Sequence, residues 1–132
     1  MKTTLRVDHK GGDLFEIAIR DHLVHVDQPV KDGGSDAAPT PTELFVAALA
    51  SCVAHYARRY LVRHGLPTDG LSVAATFTMA DRPARVGQIT VSVTVPKAVP
   101  EERRAALLAV ASHCTVHNSL EQPPEVSIEL AA

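Results

Sequence analysis

The chain has 132 residues, a formal net charge of −2 from 13 basic and 15 acidic side chains, and two cysteines. That length suits a single domain over residues 1–132 that buries most of the surface its unfolded form exposes. The near-balanced charge sets up no strong field toward nucleic acid or an anionic membrane, so neither partner is expected.

The opening MKTTLRVDHK lacks the apolar core of a signal peptide, and no apolar run has the length of a transmembrane helix. A cytoplasmic location is therefore expected. There thiols stay reduced, and a cysteine pair is more often catalytic, redox-sensing or metal-bound than a permanent staple. Residues 3–7, 13–20 and 22–27 carry short apolar alternations, which predict two or three strands in a meander. Residues 31–40, KDGGSDAAPT, are small, polar and glycine-rich and read as a loop.

Thr40-Pro41-Thr42-Glu43 has the threonine and glutamate of a capping box, with proline at the first helical position, where its missing N–H costs nothing. Arg63, His64 and Gly65 supply a basic last turn and a left-handed cap, with Pro67 beyond. The predicted helix, Pro41 to His64, is about 24 residues or roughly 36 Å long. Its first half, LFVAALASCVA, is apolar on every face, which predicts a helix surrounded by protein. One small sheet cannot surround it, so a homodimer is expected.

Two strands follow, Leu71 to Met79 and Val86 to Val95, joined as a hairpin by ADRPARVG. Pro100 opens a second helix with Glu101 and Glu102 in its first turn and Ala105, Leu108, Ala109 and Ser112 at buried spacing. A last short strand is predicted over residues 125–130. The order of strands, long helix, hairpin, helix and strand is that of an α+β fold with segregated elements.

Cys52 and Cys114 each have a histidine three places on, His55 and His117, and two cysteines with two histidines have the right chemistry for tetrahedral zinc. The spacing fits poorly, because structural sites take a cysteine pair from a tight knuckle whereas Cys52 lies mid-helix, so no metal is expected. Both thiols as buried small hydrophobes is the plainest alternative. Against it, Glu43 lies nine residues before Cys52, which puts both side chains near one helix face, although the capping box alone accounts for a glutamate there. Cys114 precedes TVHNSL, whose helical N–H groups are expected to lower its pKa. His55 and His117 are candidate partners for a neighbouring thiolate, with a structural role as the commoner outcome. Arg20 ends an alternating strand, from which it could reach inward, but a surface position is the more ordinary place for it.

TPTELFVAALASC (residues 40–52), the continuing helix YARRYLVRHGL, and HCTVHNSL (residues 113–120) resemble the two signature regions of the OsmC/Ohr family, the osmotically inducible protein C and organic hydroperoxide resistance proteins. The resemblance spans nearly the whole chain. It implies an intertwined homodimer with long central helices flanked by antiparallel sheets and with active sites drawn from both subunits. It also implies a peroxidase that reduces organic hydroperoxides without a bound cofactor. In it Cys52 attacks, Cys114 resolves the product as a disulfide, Arg20 and Glu43 orient and activate the thiolate, and an external dithiol, by analogy a lipoyl group, restores the thiols. The glutamate stands nine residues before the cysteine where the hydroperoxide branch has ten, and Thr115 replaces a common proline, so the chain looks more like a less characterised branch. A redox sensor or small-molecule-binding protein on the same scaffold is the alternative.

Overall fold

The computed structural model describes residues 2–131, which fall into two compact units, one ending at Phe45 and the other beginning at Val46. The architecture is α+β with antiparallel sheets and three helices. In the first unit β1 (Arg6–Gly11), β2 (Leu14–Ile19) and β3 (His22–Val26) form an antiparallel meander in that order. Cross-strand pairs such as Phe15 with Val26 and Ile17 with Val24 set the register. β2 stops one residue earlier than its alternation suggests, because the chain turns at Arg20, whose φ of 53° is left-handed.

The polar loop after β3 is pinned by one carboxylate. Asp27 is only 2% exposed, and it accepts hydrogen bonds from the backbone N–H groups of Gln28 (2.7 Å), Ala37 (2.9 Å) and Ser35 (3.3 Å). Gly34 passes so close to the Gln28 carbonyl and to Asp27 that no Cβ fits there. The donors from Ala37 and Gln28, with a smaller part from Ser35, hold the Asp27 carboxyl below its ordinary pKa, against the opposing cost of burial.

α1 (Pro41–Arg63) begins with the capping box in place. The Thr40 N–H donates to the Glu43 carboxylate (2.9 Å), and the Glu43 N–H to the Thr40 hydroxyl (3.0 Å). It ends at Gly65, φ 64°, with the Leu66 N–H donating to the Leu61 carbonyl (2.8 Å) across the cap. In the second unit Leu49, Val53, Ala57, Tyr60 and Leu61 form the buried ridge of this helix. β4 (Ser72–Ala80) and β5 (Arg85–Thr94) pair antiparallel as predicted, with Val73 opposite Val93 and Phe77 opposite Ile89. α2 (Glu101–Ala111) and a short α3 (Thr115–Glu121) complete the unit.

Two expectations are corrected. α2 buries Leu107 and Ala111, leaving Leu108 54% exposed and Ala105, Ala109 and Ser112 on the outside. The helix is apolar on both candidate faces, so periodicity offers two solutions and packing into the core cluster selects between them. Residues 125–130 form no strand, and Ile128 and Leu130 are 93% and 98% exposed. Alternation supplies a β-competent segment, but a strand forms only against another strand's N–H and C=O groups. Among the described residues no helix is long and apolar enough to cross a membrane.

Because the folded Asp27 carboxyl has a lowered pKa, its stabilising contribution is complete above the ordinary carboxylate pKa of about 3.9 and fades as pH falls through the lower folded value. In thermal melts from pH 7 to pH 2, Asp27→Asn should therefore melt below wild type at neutral pH, and the gap should narrow in acid. The Tyr60 hydroxyl is the one buried side-chain polar atom without a hydrogen bond among the described residues. Tyr60→Phe should leave stability unchanged or raise it by about 1 kcal/mol in urea unfolding, since it removes an unpaired polar group and keeps the ring.

Candidate functional site

The two cysteines come together in the second unit. Cys52 sits on α1 between the buried Leu49 and Val53 and is itself half-buried. Cys114 is 0% exposed, in the connection from α2 to α3, where it caps the start of α3. Its side chain belongs to the core cluster of Leu107, Ala111 and the α1 ridge, and Cys52 packs against the same cluster. Both thiols are free, and Cys52 is a near enough neighbour of Cys114 to disfavour its thiolate.

The electrostatics of Cys114 run opposite to the sequence-based expectation. Burial pushes this thiol above its ordinary pKa, and neighbouring Cys52 raises it further. The backbone N–H of His117 does donate to Cys114 Sγ, at 3.4 Å, but this pull toward the thiolate is outweighed. The sequence reveals the donor but not the complete loss of solvent.

Around the pair, the histidines serve mainly to shape the chain. His117 places Nδ1 2.6 Å from the Ser112 carbonyl and Nε2 3.2 Å from the Glu121 carboxylate. His55 is exposed, its ring edge-on to that of Tyr56. Tyr56, one turn beyond Cys52, shares a 2.7 Å hydrogen bond with the hydroxyl of Thr115, and the Arg59 guanidinium lies 4.5 Å over its ring. The sequence signal for Tyr56 is its i+4 spacing from Cys52, which puts both on one helix face. Among the described residues no group of three or more His, Cys, Asp or Glu side chains converges as a metal site would require.

Arg20 and Glu43 belong to the first unit. Arg20 is exposed at the β2–β3 turn. Glu43 is exposed in the first turn of α1, with one carboxylate oxygen engaged by the capping box. A cavity of about 200 Å³ is lined by Leu49, Val53, Ile89, Val91, Leu108 and His117, among others; it takes in the residues before and after Cys52 on the α1 ridge but neither cysteine. Its wall is mostly apolar, with Ser112 and His117 as the polar side chains.

Residues 33–129 match the family model described as OsmC-like protein. The chain belongs to the OsmC family. Solved structures share its fold. A Psychrobacter arcticus protein described by osmotic stress induction and a detoxification response is 23% identical, with a TM-score of 0.83 over 90% of this chain and 88% of that one. A Legionella pneumophila organic hydroperoxide resistance protein is 19% identical, with a TM-score of 0.69 over 91% and 89% of the two chains. An Elizabethkingia anophelis organic hydroperoxide resistance protein is 18% identical, with a TM-score of 0.70 over 93% and 91%. No curated protein matches the chain at a significant level.

For this OsmC family chain, the burial difference between the thiols gives a direct test. Alkylation by iodoacetamide, followed by peptide mass spectrometry, should label Cys52 first. In Cys52→Ser the alkylation rate of Cys114 should keep rising with pH beyond the ordinary thiol range near 8.5, because burial, the larger cause of its raised pKa, remains.

Proposed function

We propose that the chain is a thiol peroxidase that reduces organic hydroperoxides, acting as a homodimer in which residues 1–132 serve as one functional domain. The observation that carries this reading is the meeting of the only two cysteines in the sequence, one half-buried and one fully buried. Cys52, the more accessible, is the attacking residue. As thiolate it displaces alkoxide from the hydroperoxide and becomes a sulfenic acid. Cys114 then condenses with it, forming the disulfide and releasing water, and an external dithiol such as a lipoyl group reduces the disulfide.

Arg20 and Glu43 enter on the family resemblance. The guanidinium would stabilise the Cys52 thiolate and the developing alkoxide, and the carboxylate would hold the guanidinium. The mostly apolar cavity lined by Leu49 and Val53, which flank Cys52 on α1, supports an organic peroxide over hydrogen peroxide, because its apolar wall rewards the burial of a hydrocarbon group. The helix surface of Phe45, Ala47, Ala48 and Ser51, exposed in the single chain, supports the homodimer. Nothing in the balanced charge favours nucleic acid as a partner, and a cytoplasmic location fits thiols kept reduced.

A second reading, a redox sensor or small-molecule-binding protein whose thiols oxidise without fast turnover, is favoured by two observations. The Cys114 thiol is raised rather than lowered in pKa, and the Glu43 carboxylate is engaged by its own helix cap. Steady-state reduction of cumene hydroperoxide with dihydrolipoamide separates the readings. A peroxidase should turn over many times, Cys52→Ser should lose at least about 100-fold in rate, and Cys114→Ser should consume one equivalent and stop. A Cys52→Ser variant with full activity would overturn the assignment, and slow stoichiometric oxidation of wild type would favour the sensor.

A further inference from the structure

The segment carrying Cys114 is tied mostly to itself. His113 Nδ1 lies 2.8 Å from the Ala109 carbonyl, His117 Nδ1 2.6 Å from the Ser112 carbonyl, and the Asn118 side-chain amide donates to the His113 carbonyl at 3.1 Å. These bonds shape the turn between α2 and α3 but do not say where it lies against α1. Among the described residues one side-chain hydrogen bond joins it to that helix, between the hydroxyls of Tyr56 and Thr115, 2.7 Å apart. Tyr56 follows Cys52 by one helical turn and Thr115 follows Cys114 directly. The bond therefore spans the same two backbone segments that a disulfide would join. The Tyr56 ring is itself held, by the Arg59 guanidinium 4.5 Å over its face and by the edge of His55 at a centroid distance of 5.8 Å.

We propose that Tyr56 and Thr115 are positioning residues for the Cys52–Cys114 pair, their hydroxyl bond holding the Cys114 segment at the separation from which the disulfide closes. This rests on the disulfide step of the proposed function. In that step the Cys114 sulfur attacks the sulfenic sulfur of Cys52, the S–S bond forms as the S–O bond breaks, and hydroxide departs with the thiol proton as water. A disulfide tolerates a narrow range of separations and dihedral angles. A tie that restricts the segment in the dithiol state raises the effective concentration of one sulfur at the other. By reciprocity, a bond that favours the disulfide is favoured by it in turn. Burial of the Cys114 thiol makes positioning more important, since little reactive thiolate is present to compensate for poor alignment.

Equilibration of the whole protein with mixtures of reduced and oxidised glutathione, read by mass spectrometry of the Cys52–Cys114 disulfide, measures this effective concentration without any peroxide. Tyr56→Phe and Thr115→Val should each lower it about three- to ten-fold, as expected for one lost hydrogen bond. The double variant should be no worse than either single, and Thr115→Ser should stay within about twofold of wild type. A purely structural role would lower the unfolding midpoint of both redox forms and leave the equilibrium in place. Single variants with wild-type equilibria, losses that add in the double variant, or a Thr115→Ser loss as large as that of Thr115→Val would each overturn the proposal. So would a wild type in which glutathione forms no Cys52–Cys114 disulfide. A wild type that forms the disulfide with glutathione but does not turn over cumene hydroperoxide would remove the peroxidase reading and leave the positioning role standing.

Discussion

The packing of α2 onto the buried ridge of α1 is the interaction on which the rest of the second unit depends. Leu49, Val53, Ala57, Tyr60 and Leu61 present one side of α1, and Leu107 and Ala111 of α2 join the same cluster. Ala57 and Ala111 are both fully buried, one from each helix, within this shared cluster. Burying Leu107 contributes about 2 kcal/mol by area alone, but position is the more consequential product. Cys114 follows the buried Ala111 by three residues and Cys52 precedes the buried Ala57 by five, so the cluster that takes in both alanines also gathers the two thiols.

This arrangement gives the two sulfurs different surroundings. Cys114 is part of the core, so its charged form is disfavoured and its reach is short; Cys52 is on the margin of the core and open to reagents. In the proposed reaction the attacking thiol needs access and the resolving thiol needs proximity, and that proposal draws on this difference in burial. The apolar cavity along Leu49, Val53 and β5 extends the same logic, because it is made by the outer edge of the ridge that holds the core. The hydroxyl bond from Tyr56 to Thr115 adds a polar tie to what is otherwise a hydrophobic alignment.

Much of this fold is legible in the sequence because local chemistry specifies it. Thr40 and Glu43 stop the unsatisfied N–H groups of α1, Gly65 ends the helix, and the alternation of β4 and β5 sets a register that any one-residue slip would invert. The choice of face on α2 is not legible, since Leu107 and Leu108 are equivalent to a periodicity argument and only packing into the core cluster separates them. The same limit applies to residues 125–130, where a strand pattern is present but strand pairing is a property of two segments. The order of the loop anchored by Asp27 is not legible either, because it comes from a single buried carboxylate reaching residues eight and ten positions away.

By itself the sequence determined the long capped helix, the meander, the hairpin, and the two cysteine contexts that place the chain in the OsmC family, because each depends on residues close together or on a motif whose spacing is preserved. Only the tertiary structure decided that Cys114 is the buried thiol with the raised pKa, that Cys52 is the accessible one, and that Tyr56 meets Thr115. Desolvation and contact between residues 59 positions apart are sums over neighbours brought in from elsewhere in the chain, and no local pattern encodes such a sum.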